Sequence, residues 1–141
     1  MIVTLIVLVA LSGFAKAVSD TLLFRFERSV FSRFPGGWWN PTISYKNKNK
    51  SQNYFVKLLM RTVLVMFTDA WHLFQFISYF SLFLLVTLVH TFGLPDNYMW
   101  ESYTVGSAVL LAIGIYWIRI AAFSFFWALF YTPEPGDKNN P

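Results

Sequence analysis

Residues 70–92 read AWHLFQFISYFSLFLLVTLVHTF, a stretch without one Lys, Arg, Asp or Glu. At about 1.5 Å per residue, a helix of this length covers a hydrocarbon core of about 30 Å. Gly93, Leu94 and Pro95 then stop it, because a flexible residue and one without an N–H cannot continue the ladder. Outward from this stretch two further apolar runs appear. One covers residues 2–20 (IVTLIVLVALSGFAKAVSD); the other runs from about 104 to 131 and closes at Thr132-Pro133-Glu134-Pro135-Gly136. In hydrocarbon every backbone N–H and C=O must be bonded within the segment, so all three are expected to be helical. A barrel would need many alternating strands of about ten residues, and the pattern offers none.

The rest of the composition agrees. Of 141 residues, 56% are hydrophobic, 21% aromatic and only 13% charged, against about 25% charged in a soluble domain. The expected architecture is therefore a single integral membrane domain over residues 1–141, an all-α bundle of three transmembrane spans. A soluble enzyme, a disordered regulator and a free nucleic-acid-binding module are excluded, despite the net charge of +4. Ala15-Lys16-Ala17 has the small-x-small form of a leader cleavage site, but no basic residue precedes the apolar run, so a retained first span is expected.

Orientation follows from the basic residues. Arg25, Arg28, Arg33, Lys46, Lys48, Lys50, Lys57 and Arg61 lie between the first and second runs and make eight of the eleven. Residues 93–103 hold none and carry Asp96 and Glu101. The positive-inside rule places the long connection in the cytoplasm, the N-terminus outside and the C-terminal tail inside. Within that connection Phe31, Phe34, Trp38 and Trp39, punctuated by Pro35-Gly36-Gly37 and Asn40-Pro41, suit the headgroup level. Residues 53–69 allow two readings: an interfacial helix or extension of the second span, with Lys57 and Arg61 on one face, or a fourth span. The first is preferred, because the second moves the base-free loop into the cytoplasm.

Ionisable groups inside spans are functional candidates by default, at about 2.5–3.5 kcal/mol each near a helix centre. Lys16 and Asp20 close the first run, Asp69 and His72 open the second, and Arg119 lies about 22 Å along the third. All are expected at the cytoplasmic leaflet. Arg119 would snorkel or pair with Asp69 or Asp20. If residues 53–92 formed one helix, Lys57, Arg61, Thr68, His72, Gln75 and Tyr79 would make one polar stripe, which serves either as packing glue or as the lining of a headgroup-sized cleft. The catalytic candidates are then Asp69 and His72 as an acid/base pair; the anion-binding candidates are Arg61, Arg119, Lys46 and Asp20.

Other chemistry is thinly supplied. There is no cysteine, and His90 lies about 27 Å from His72 along a helix, so no metal site and no cofactor are expected. Gly106, Ser107, Ala108, Ala112 and Gly114 gather in the outer half of the third run, where Ala108 and Ala112 form a small-xxx-small contact face, within the chain or between protomers.

Ser19-Asp20-Thr21-Leu22, Trp39-Asn40-Pro41, Ser44-Tyr45-Lys46-Asn47-Lys48 and Thr68-Asp69-Ala70-Trp71-His72-Leu73-Phe74 resemble segments of small uncharacterised multi-pass bacterial membrane proteins, particularly from Bacteroidota. The resemblance covers about the first half of the chain. It implies a bacterial inner-membrane location and carries no activity. The expected function is a non-catalytic accessory or assembly element that binds anionic phospholipid headgroups or a partner at the cytoplasmic leaflet, alone, as a homo-oligomer or in a larger membrane complex, with no nucleic acid. The alternatives are a membrane-embedded enzyme acting on a lipid headgroup or phosphate ester, and a subunit of an oligomeric pore.

Overall fold

The computed structural model describes residues 2–92 and 105–130, with side-chain surroundings for residues 2–89 and 112–130. The base-free loop 93–103, His90, Gly106, Ser107, Ala108 and the tail with Lys138 lie outside those limits. Among these residues six α-helices follow in order: α1 (Ile2–Arg25), α2 (Gly36–Trp39), α3 (Pro41–Ser44), α4 (Tyr54–Arg61), α5 (Ala70–Phe92) and α6 (Val105–Phe130). Single 3-10 turns at Phe26–Arg28, Val30–Arg33, Tyr45–Asn49 and Val65–Phe67 join them. There is no strand among the described residues, and α1, α5 and α6 are each long and apolar enough to cross a membrane.

The first helix runs five residues beyond the expected limit near residue 20 and is the centre of the bundle. α5 and α6 each pack along α1 and, among the described residues, scarcely touch one another. The buried share of each apolar window falls accordingly, from 44% in α1 to 17% in α5 and 0% in α6. What fits α1 for the middle is its run of small residues. Ser12, Gly13, Ala15, Ala17 and Ser19 are all buried, and small side chains let helix backbones approach closely where hydrocarbon gives no hydrophobic drive between helices. At Gly13 the approach is closest: a Cβ there would lie 2.6 Å from the Arg119 carbonyl oxygen and 2.9 Å from the Ala122 Cβ. Of the contact face expected on α6, Ala108 lies outside the described side chains, and the described part makes no such approach. Ala112 is exposed, and a Cβ at Gly114 would meet nothing within 4 Å.

Residues 26–69 fold into a cap over one end of the bundle, where α1 ends, α5 begins and α6 ends. Aromatic rings tie it down. Phe31 stacks on Trp39 at 5.3 Å between centroids and meets Phe130 at 4.9 Å, while Trp39 reaches Phe74. One layer deeper, Phe14 of α1 contacts Phe74, Phe126 and Phe130 edge-on, the arrangement the ring quadrupole favours. Asn47 closes the cap from the polar side, donating through Nδ2 to the carbonyls of Gly37 and Thr68, each at 2.8 Å.

The continuous helix over 53–92 does not form. Asn53 starts α4 as an N-cap, its Oδ1 accepting from the N–H groups of Phe55 and Val56. The helix ends eight residues later, at about 12 Å, too short for a fourth span. Thr62, Val63 and Val65 follow, β-branched residues that lose χ1 freedom in a helix. Thr62 turns back so that its hydroxyl donates to the Leu58 carbonyl, and the Leu64 N–H donates to the Leu59 carbonyl at 2.8 Å, closing the end as a Schellman-type bond. The polar stripe that needed this continuity is therefore broken between Arg61 and Thr68, and Tyr79 faces outward at 61% exposure.

Candidate functional site

Asp69 and His72 are brought together by the start of α5. Asp69 is its N-cap residue. Its Oδ1 accepts from the backbone N–H of His72 at 2.9 Å, satisfying one of the donors that a helix start leaves unpaired. The imidazole folds back over the same carboxylate, with Nδ1 2.8 Å from Oδ1 and 2.7 Å from Oδ2. An ionised carboxylate only accepts, so Nδ1 carries the proton in this pair. Thr68 completes the group, its one hydroxyl proton shared between Oδ2 at 3.1 Å and the Val65 carbonyl at 2.7 Å. Asp69 is 2% exposed, which makes these three bonds the reason a carboxylate can stand there.

The dyad leaves Nε2 as the one nitrogen available for acid/base work. Among the described residues no hydroxyl is hydrogen-bonded to it, and a cleft at this end is lined by other groups. That cleft, of about 850 Å3, runs along the last turn of α1 and the start of α3, between Arg25, Glu27 and Arg28 on one side and Asn40, Pro41 and Thr42 on the other. None of the residues nominated from the sequence lines it. Arg25 also lies over the Trp127 ring at 5.4 Å, which fixes the α6 end beside the cleft. Where the cap meets α1 and α5, Thr21 Oγ1, Ser44 Oγ and Trp71 Nε1 are buried with no hydrogen-bond partner among the described residues.

The remaining candidates are not gathered around the dyad. Asp20 pairs with Lys16 one turn earlier in α1. Arg61 donates through Nε and Nη2 to the Asn49 side chain on the exposed face of the cap. Lys46 lies over the Tyr45 ring at 5.8 Å and is exposed. Arg119 pairs neither with Asp69 nor with Asp20: its Nε donates to the Ser12 hydroxyl at 3.1 Å. Ser12 Oγ is in turn 3.3 Å from Ser78 Oγ, and the Ser78 hydroxyl donates to the Ser12 carbonyl at 3.0 Å. Three spans thus meet through a polar node at mid-length, well inside the capped end. Ser12 and Ser78 were not singled out from the sequence, where hydroxyls in apolar runs are too common to stand out.

No group of three or more metal-ligating side chains occurs among the described residues. Compared with protein-family models, with curated proteins and with solved structures, the chain matches none.

Proposed function

We propose that the chain is a bacterial inner-membrane protein acting without catalysis, as an accessory or assembly element whose capped end lies in the cytoplasm. There it holds anionic phospholipid headgroups or the charged segment of a partner. One observation carries this reading: residues 25–61 contain eight basic residues against one acid, Glu27, and fold as one cap over the ends of three apolar helices. Arg33, Lys46, Lys50 and Arg61 are exposed on it. Each cation near an anionic surface contributes about 1 kcal/mol of attraction, so the cap as a whole favours acidic lipid. The cleft beside Arg25 and Arg28 adds a pocket with polar and apolar walls, as a headgroup with its first methylenes requires. The positive-inside rule supports the orientation.

An enzymatic role finds less support. Asp69 and His72 have the spacing and bonds of a helix start, and their mutual contact needs no substrate to explain it.

The test is the lipid preference of the reconstituted full chain, read by electron paramagnetic resonance with spin-labelled lipids. The motionally restricted fraction is expected to be at least about threefold richer in phosphatidylglycerol than in phosphatidylcholine. Replacing Lys46, Lys48 and Lys50 together by Gln should remove most of that preference. Equal restriction of the two lipids by the unaltered chain would overturn the lipid reading.

A further inference from the structure

Arg119 stands near the middle of the apolar zone. Along α6 (Val105–Phe130) it lies fourteen residues from one end and eleven from the other, about 21 and 16 Å. Ser12, its partner, is about 15 Å from the start of α1, and Ser78 about 12 Å from the start of α5. A guanidinium carries five N–H donors and a charge that stays on at any physiological pH. Among the described residues one of those donors is hydrogen-bonded, and to a neutral hydroxyl. The side chain is half-buried, at the edge of the α1–α6 contact, with Tyr116 one turn away at 56% exposure.

Among the described residues, the chain's own acids do not reach it. Asp20 lies eight residues past Ser12, about 12 Å nearer the cap, and is taken by Lys16. Asp69 is held by Thr68 and His72 at the start of α5, and Glu27 lies beyond α1. A second copy placed parallel brings these acids to the capped end again; one placed antiparallel brings them to the opposite end. Lipid phosphates lie at the two edges of the core, farther than one side chain extends from mid-depth. Charges inside spans face a bundle interior and pair, and the lipid-facing side of α6 is free to receive a helix, with none of its window buried.

We propose that Arg119 is the docking point for a transmembrane helix of a different protein that carries an Asp or Glu at mid-span. The carboxylate takes the guanidinium edge left open beside Ser12, and the partner helix covers the exposed face of α6. This does not rest on the reading of the capped end.

The test uses the full chain with Arg119 in place, labelled with a donor dye on the exposed Gln52→Cys, in phosphatidylcholine vesicles. It is titrated with synthetic Leu/Ala helices of about 22 residues that carry an acceptor dye and either Glu or Gln at the centre. The Glu helix is expected to associate about tenfold more tightly than the Gln helix. Arg119→Gln should erase the difference, and Arg119→Lys should keep part of it. Equal association of the two helices with the chain that keeps Arg119 overturns the proposal, whether or not the Arg119 variants fold. So does an undiminished preference in a folded Arg119→Gln protein, or an equal gain from Glu placed at the helix end. If added phosphatidylglycerol abolishes the preference, the guanidinium takes lipid phosphate instead; if the chain self-associates through Arg119 without peptide, the occupant is a second copy. Either result also overturns it.

Discussion

Gly13 and Asp69 carry more of the architecture than their size suggests, and each does so for a reason that a substitution exposes. At Gly13, a Cβ would stand 2.6 Å from a backbone oxygen of α6, an atom that cannot swing aside. Gly13→Ala should therefore push α1 and α6 apart and lower stability in a detergent unfolding titration by about 1–3 kcal/mol. Gly114→Ala, with open space around it, should stay within about 0.5 kcal/mol of the unaltered chain or gain slightly from helix propensity. Equal effects at both positions would contradict the close approach. Asp69→Ala removes an N-cap and should destabilise by about 1–2 kcal/mol, whereas Asp69→Asn keeps the cap and should fall well short of that. Under the assembly reading, Asp69→Asn and His72→Ala alter folding or partner recovery together with any cellular effect. An enzyme would lose its effect while expression and assembly stayed normal, and that pattern would count against the reading. The Asp69–His72 contact was legible in the sequence because three residues on one helix start fix it locally. The Ser12–Ser78–Arg119 node was not, because it depends on the rotation and register of three helices that are distant in the chain.

Among the elements, α4 illustrates what periodicity misses. Residues 53–68 are apolar enough to continue a span, and the spacing of Lys57, Arg61 and Thr68 invites a long helix. The β-branched cluster after Arg61 and a hydroxyl turned onto Leu58 stop it after eight residues. What remains is a short amphipathic helix. Phe55 at 64% and Leu58 at 45% exposure, with Val63 and Phe67 just beyond, present apolar surface that water would not favour. With nitroxides on single cysteines, Phe55→Cys should lie about 5–10 Å into the headgroup and acyl boundary, and Lys57→Cys should lie nearer water. Matching depths in the aqueous range would place α4 off the membrane. The small residues of α1 were in plain view too, yet the small face was expected on α6. Both runs carry the pattern, and only packing decides which is surrounded.

The whole chain shows an arrangement whose broad outline composition dictated: three apolar helices, a basic and aromatic connection at one end, and few charges between. The cap follows from chain length, since the 44 residues from Phe26 to Asp69 have aromatic rings enough to bury on the helix ends but too few aliphatic residues for a core of their own. Asn47 is the polar clamp of that cap. Asn47→Ala should loosen it, raising hydrogen exchange at residues 36–49 and 68–70 while leaving the middle of α1 protected; uniform exchange across the chain would argue against a separable cap. The side of the bilayer on which the cap lies decides the account, and the absence of cysteine makes the decision clean, because any introduced thiol is the sole target. Lys48→Cys and Asp96→Cys, each probed in intact spheroplasts with a membrane-impermeant maleimide, give the most direct reading. The account predicts that Asp96→Cys is labelled from outside and Lys48→Cys only after permeabilisation; labelling of both from the same side would contradict it.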